Sequence, residues 1–153
     1  MFAYALFETA IGRCALAWGP RGIIGVQLPA RTPEATRIRL MRLCPNAEEL
    51  EPPKQIARAI EDISALLRGE KKSLRTIQLD MSRVPAFNAR VYETTRAIAP
   101  GATRTYGEVA RAIGQPDGAR AVGQALGRNP FAIVVPCHRV VGANDRLVGF
   151  SAN

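Results

Sequence analysis

Two glycine-marked turns near the N-terminus constrain this chain more than any other feature. Gly12-Arg13 and Gly19-Pro20-Arg21-Gly22 separate three short apolar or alternating runs, Phe2 to Phe7, Cys14 to Trp18 and Ile23 to Leu28. Runs of that length bounded by turn residues read as strands. Connections this short join neighbours only as antiparallel pairs, so the first 28 residues predict a small meander. Helical patterns come next. Thr32 to Leu43 is helical, with Thr32 as N-cap and Pro33 at the first helical position, and Cys44-Pro45-Asn46 ends it. Lys54 to Arg68 places Ile56, Ile60, Ile63 and Leu67 at helical spacing, and Gly69 follows as a cap. Thr76 to Leu79 reads as a further strand, and Ser82-Arg83-Val84-Pro85 as a linker. The expected fold class is α+β: residues 1–84 form an α/β domain with an antiparallel sheet, and residues 85–153 a mostly helical domain.

In the second half Pro85 opens a helix on which Phe87, Val91, Thr95 and Ile98 share a face, and Pro100-Gly101 stops it. Thr105-Tyr106-Gly107-Glu108 fits a capping box with Val109, Ala110 and Ile113 behind it, and Gly114 ends that helix. Pro116-Asp117-Gly118 makes a turn into a helix from Ala119 to Gly127, which Asn129-Pro130 breaks. Two short helices joined by a glycine-containing turn are a helix-turn-helix candidate. At 100° per residue Ala119, Val122, Ala125 and Leu126 fall on one side of the second helix, suited to packing. Arg120, Gly123, Gln124, Gly127 and Arg128 fall on the other. That outward face is nearly bare, with Arg120 near its centre. It permits close approach to a DNA backbone, reads little base sequence, and offers one arginine to fill the gap left by an extruded base. The same pattern also suits two core helices whose glycines serve helix contact.

The chain's only histidine stands beside a cysteine, in the apolar run Ile133-Val134-Val135-Pro136-Cys137-His138-Arg139-Val140-Val141. A free thiol is only a few per cent ionised at pH 7. Lowering its pKa by about 1.5 units takes about 2 kcal/mol, which the adjacent imidazole and arginine could supply. The other cysteines, Cys14 and Cys44, are far away in sequence, and no C-x-x-C pair exists. A disulfide framework is not indicated, and zinc would need all three cysteines plus His138. Neither metal nor cofactor is expected.

Net charge is +8, spread evenly: 13 Lys and Arg against 9 Asp and Glu in residues 1–84, then 8 against 4. A basic globular surface suits a polyanion such as DNA. No apolar run approaches the roughly 20 residues that span a bilayer. The N-terminus lacks a basic region before its apolar residues and carries an early acid, Glu8. The expectation is a cytoplasmic or nucleoid-associated protein with no membrane partner.

Pro136-Cys137-His138-Arg139-Val140 resembles the active-site signature of the O6-alkylguanine-DNA alkyltransferases, the methylated-DNA–protein-cysteine methyltransferases. The likeness extends over residues 87–149. Pro100 to Ala110 is similar to the family's P-G-x-T-x-[ST]-Y-G-x-[LV]-A segment, and Ala119 to Ala125 to its A-R-A-V-G-x-A recognition helix, with Asn129-Pro130 following in order. Residues 1–84 resemble the family only loosely, as a small α/β domain.

The resemblance implies a suicidal repair protein acting on double-stranded DNA that contains O6-alkylguanine. The sequence leaves O4-alkylthymine open as a second lesion and gives a monomer as the expected state. By position, the helix-turn-helix would bind the minor groove through Thr103, Arg120, Ala121, Gly123, Gln124 and Arg128. Arg120 would replace the flipped nucleotide. Tyr106 would help rotate it out and donate a proton toward guanine O6. Cys137 would attack the alkyl carbon and keep it as a thioether, with His138 as base through a water. Asn129 would brace the turn before an active-site strand. Pro136, Arg139, Val140, Phe150 and Ser151 would line or support the base pocket.

Two departures bear on this. Phe150 stands where the family has tyrosine, which removes a hydroxyl. The sequence ends at Asn153, without the family's Gly-rich loop and final helix, whose glutamate holds the histidine. The expectation is a chain truncated at its C-terminus. Two other readings stand beside alkyl transfer. One is a lesion-binding protein with weak or no transfer. The other is a Cys-His hydrolase, which needs a third orienting group and an oxyanion site. Against the hydrolase, adjacent residues on an extended strand point to opposite faces. DNA binding is separable from it by a loss of roughly 0.9 log units of affinity per phosphate contact for each tenfold rise in salt.

Overall fold

A computed structural model describes residues 1–143. The described residues form two compact units, one of Met1–Asp80 with Pro130–Ala132, the other of Met81–Asn129 with residues 133–143.

In the first unit, β1 (Ala3–Thr9), β2 (Gly12–Gly19) and β3 (Gly22–Gln27) make the expected antiparallel meander. A two-residue strand, β4 (Glu48–Glu49), adds itself parallel to β1, giving the order β3-β2-β1-β4. Residues Cys14 to Trp18 of the central β2 are buried whichever face they point to. On one face Ala15 and Ala17 pack with Tyr4, Ile24, Leu40 and Cys44. Leu40 belongs to α1 (Pro33–Leu43), which begins as predicted: Thr32 Oγ1 accepts from Ala35 N at 3.0 Å, and Pro33 needs no donor there. α2 (Lys54–Leu67) buries Ile56, Ala59 and Ile63 and leaves Ile60 and Leu67 half-buried. It ends at Gly69, whose φ of +96° is open to glycine at little cost.

The strand predicted at Thr76 to Leu79 reduces to a single parallel bridge, Ile23 with Leu79. Two bonds hold it, Ile23 N to Gln78 O at 3.0 Å and Asp80 N to Ile23 O at 2.8 Å. The approach is close: a Cβ on Gly22, at φ +125°, would stand 2.7 Å from Gln78 O. A second isolated bridge joins Val26 to Phe131, with Val26 N donating to Pro130 O at 2.8 Å.

The second unit gathers α3 (Ala86–Arg96), α4 (Tyr106–Ala112) and α5 (Ala119–Gly127), each packed on the other two. α3 buries Val91, Tyr92 and Thr95, and Ile98 is buried just beyond it, while Phe87 is half-buried. The capping box forms: Thr105 Oγ1 accepts from Glu108 N at 3.0 Å and Glu108 Oε1 from Thr105 N at 2.8 Å. That backbone donor, first, holds the Glu108 carboxyl below its ordinary pKa. A Thr105→Ala protein is expected to lose about 1 kcal/mol of stability, read from urea unfolding midpoints. A gap indistinguishable from zero would show that tertiary packing alone sets this helix start. Two short strands, β5 (Arg104–Thr105) and β6 (Val140–Val141), pair in parallel, Arg104 with Val140 and Thr105 with Val141.

Candidate active site

The segment that carries Cys137 begins where α5 ends. Asn129 N donates to Leu126 O at 3.1 Å, so the residue leaves the helix from its last turn. Its side chain reaches forward, Nδ2 donating to Val135 O at 2.9 Å. Between them Ile133 has φ +109°, a left-handed backbone that a β-branched residue adopts only under strain. Cys137 N then donates to the same Val135 carbonyl at 2.8 Å.

Cys137 does not lie on a strand, as the sequence suggested. Cys137–Arg139 is a turn of 3₁₀ helix, closed by Arg139 N on Pro136 O at 2.9 Å, and extended backbone resumes only at β6. Pro136, at φ −81° and ψ 69°, has no N–H to carry a ladder and bends the chain into the turn. The rule that adjacent residues point to opposite faces therefore does not apply to Cys137 and His138.

The thiol's surroundings also differ from expectation. Cys137 is only 5% exposed, and that burial pushes its pKa above the ordinary value. What opposes the rise is a hydrogen bond with the Asn129 side chain, then the backbone N–H groups of Cys137 and His138. Neither the imidazole nor the arginine supplies the stabilisation that their adjacency suggested. Arg139 is directed elsewhere, Nη1 donating to Ile98 O at 2.8 Å. His138 lies exposed on the turn, yet the protein around its ring, with the Arg139 charge adding, holds its pKa below the usual value. A neutral imidazole at pH 7 can accept a proton.

The paired helices carry the other expected residues. Arg120, Ala121, Gln124 and Arg128 are exposed on or just beyond α5, while Val122, Ala125 and Leu126 are buried and Ala119 is half-buried. Gly123 faces Tyr106: a Cβ there would touch the tyrosine ring at 3.8 Å. Thr103 is exposed just before β5. The β5–β6 pairing sets Thr105, and so the start of Tyr106, beside the strand that follows the cysteine turn. Asn129, Pro136, Cys137, Arg139 and Val140 thus form one connected segment, with Pro136 and Val140 buried. Phe150 and Ser151 lie outside the described residues.

One buried group was missed. Tyr92 of α3, 1% exposed, donates to Ala125 O of α5 at 2.6 Å. Its place beside Val91 and one turn before Thr95 was the available signal. Among the described residues no cluster of His, Cys, Asp and Glu could hold a metal ion, and no helix is long and apolar enough to cross a membrane.

Residues 86–153 match the sequence profile of the 6-O-methylguanine DNA methyltransferase DNA-binding domain. Over nearly its whole length the chain is 38% identical to the methylated-DNA–protein-cysteine methyltransferase of Mycolicibacterium paratuberculosis, covering 98% of this chain and 84% of that one. The chain belongs to the methylated-DNA–protein-cysteine methyltransferase family. A methyltransferase of this name from Methanosarcina acetivorans is 37% identical, with 97% of this chain and 89% of that one covered. Among solved structures, the O6-methylguanine methyltransferase of Mycobacterium tuberculosis superposes with a TM-score of 0.77 at 35% identity, covering 98% of this chain and 84% of that one. The M. tuberculosis protein in complex with DNA gives 0.77 at 33% identity, with the same coverage. The methyltransferase fold therefore extends to the N-terminal sheet, where the motifs were faint.

Proposed function

We propose that this methyltransferase repairs DNA by direct reversal, moving the alkyl group of O6-alkylguanine onto Cys137. The observation that carries this reading is the buried Cys137, held with Asn129 on the one carbonyl of Val135 and set in a unit whose other feature is a helix pair with a bare, arginine-centred face. The acceptor and DNA-binding functions are assigned to residues 85–153. The base must leave the stack, because a thiol on a protein turn cannot reach O6 inside the duplex. Arg120 fills the vacated space and Tyr106 assists rotation. Thr103, Ala121, Gly123, Gln124 and Arg128 approach the duplex, and Pro136, Arg139, Val140, Phe150 and Ser151 shape or brace the pocket.

The thiol proton passes through a water to the neutral His138. The sulfur forms a bond to the alkyl carbon as the carbon–O6 bond breaks, and guanine takes a proton delivered from Tyr106. The thioether is not reversed, so each molecule acts once. Double-stranded DNA is the partner, O4-alkylthymine a second substrate to be tried, a monomer the working state and the cytoplasm its place.

The thiol's raised pKa favours a second reading, a lesion binder that transfers slowly or not at all. One assay separates them. The protein is incubated with a duplex containing one O6-methylguanine, and its intact mass and peptides are measured. The expected result is a single added methyl, on Cys137, saturating at one per molecule. Bound lesion with no added mass would discard transfer in favour of binding.

A further inference from the structure

Tyr92 takes no part in the chemistry above, yet it is bonded to the element that carries it. Its hydroxyl donates to Ala125 O, in the last turn of α5. The same carbonyl accepts from Arg128 N at 3.1 Å, the N–H that closes the helix end. One residue later Asn129 N is held by Leu126 O, and the Asn129 side chain spans to Val135 O. Val135 O in turn receives Cys137 N. A continuous run of hydrogen bonds and two short stretches of backbone therefore leads from the Tyr92 hydroxyl to the Cys137 backbone, and Asn129 is also the group that most opposes the rise of the Cys137 pKa.

We infer that Tyr92 is a positioning residue for alkyl transfer: its buried hydroxyl fixes the last turn of α5, from which Asn129 reaches Cys137. The inference rests on the reading of Cys137 as the acceptor. Three observations support it. The tyrosine is 1% exposed, so its bond competes with little water. Burial, opposed by a hydrogen bond with the Asn88 side chain, pushes the phenol's pKa up to about 12. It is therefore a neutral donor throughout the working pH range. And the carbonyl it grips is not a mid-helix one but the acceptor at which α5 stops, where the chain can twist.

Tyr92→Phe tests this. The ring stays, and Ala125 O keeps its bond from Arg128 N, so no buried carbonyl is orphaned. Three quantities are read on wild type and variant: the single-turnover rate of methyl uptake at saturating O6-methylguanine duplex, the Kd for an undamaged duplex, and the pH profile of iodoacetamide alkylation at Cys137, mapped by peptide mass. The expected result is a transfer rate lower by about tenfold, since displacements near 1 Å can cost more than that. The Cys137 profile should move to higher pH by about half a unit as the Asn129 hydrogen bond slackens, with Kd unchanged. A rate within twofold of wild type and an unmoved profile would overturn the inference, whatever the loss of thermal stability. So would a raised Kd with an unmoved profile, which would put the effect in docking alone. If wild type takes up no methyl at all, the proposed function fails, and the thiol profile still decides whether Tyr92 positions Cys137.

Discussion

Replacing Cys137 with serine is expected to abolish methyl uptake from an O6-methylguanine duplex while leaving duplex binding intact. The substitution changes one buried atom, in a turn that is not part of α5. A hydroxyl is too weak a nucleophile at its own pKa to attack an alkyl carbon unaided. Losing the acceptor removes the reaction rather than slowing it, and a fall of at least about 10⁴-fold is expected, the scale seen when other covalent enzymes lose their nucleophile. Intact mass reads the uptake and fluorescence anisotropy the binding, with Kd expected to stay within about twofold because no phosphate contact is lost. Methyl appearing on the serine variant would send the search to Cys14 or Cys44. Both are buried, and burial first holds the Cys14 thiol above its ordinary pKa.

The second large effect is expected at Asn129. Asn129→Ala removes the donor to Val135 O and the side-chain hydrogen bond that opposes the rise of the thiol's pKa. Val135 O keeps Cys137 N, so the fold should lose only about 1 kcal/mol. The chemistry should lose more, a fall in transfer rate of about 10²-fold, comparable to deleting one preorganised donor elsewhere. The sign with pH follows from the thiol. Its pKa is above the unfolded value, so its contribution to stability is complete below the ordinary thiol range and is lost as pH rises through the folded pKa. Without Asn129 that pKa climbs further, and iodoacetamide labelling of Cys137 shifts to higher pH than in wild type. A profile unmoved by the substitution would remove Asn129 from the account of the thiol's reactivity.

What could be read in the sequence was local. Gly12 and Gly22 mark turns whose backbone, at φ +124° and +125°, favours glycine, and the strands between them are set by those turns. Thr105 and Glu108 announce a cap because both halves of it lie within one turn. The family motifs named the cysteine and its helix pair. Legibility failed where partners come from a distance. Glu48 and Glu49 are polar and exposed, and only β1 makes them a strand. β5 and β6 are two residues each and exist as strands only through one another. Most instructive is Cys137, whose sequence neighbours His138 and Arg139 looked like its helpers. The group that stabilises its charge is Asn129, and the burial that opposes it comes from tertiary packing. Tyr92 was hidden for the same reason: a tyrosine on a helix face says nothing of the carbonyl it will meet.

The bridge between Val26 and Phe131 carries a consequence for the order of assembly. The meander of β1 to β3 closes through turns of a few residues, so it can form early and alone. Joining Val26 to Phe131 closes a loop of roughly a hundred residues, and closure entropy rises with loop length. That bridge can gain its bond only after β3 exists to receive it. By loop length alone, the backbone at Phe131, between Asn129 and the strained Ile133, is expected to settle later than the sheet it joins. Its amides should therefore gain protection after those of the meander in pulse-labelled hydrogen exchange.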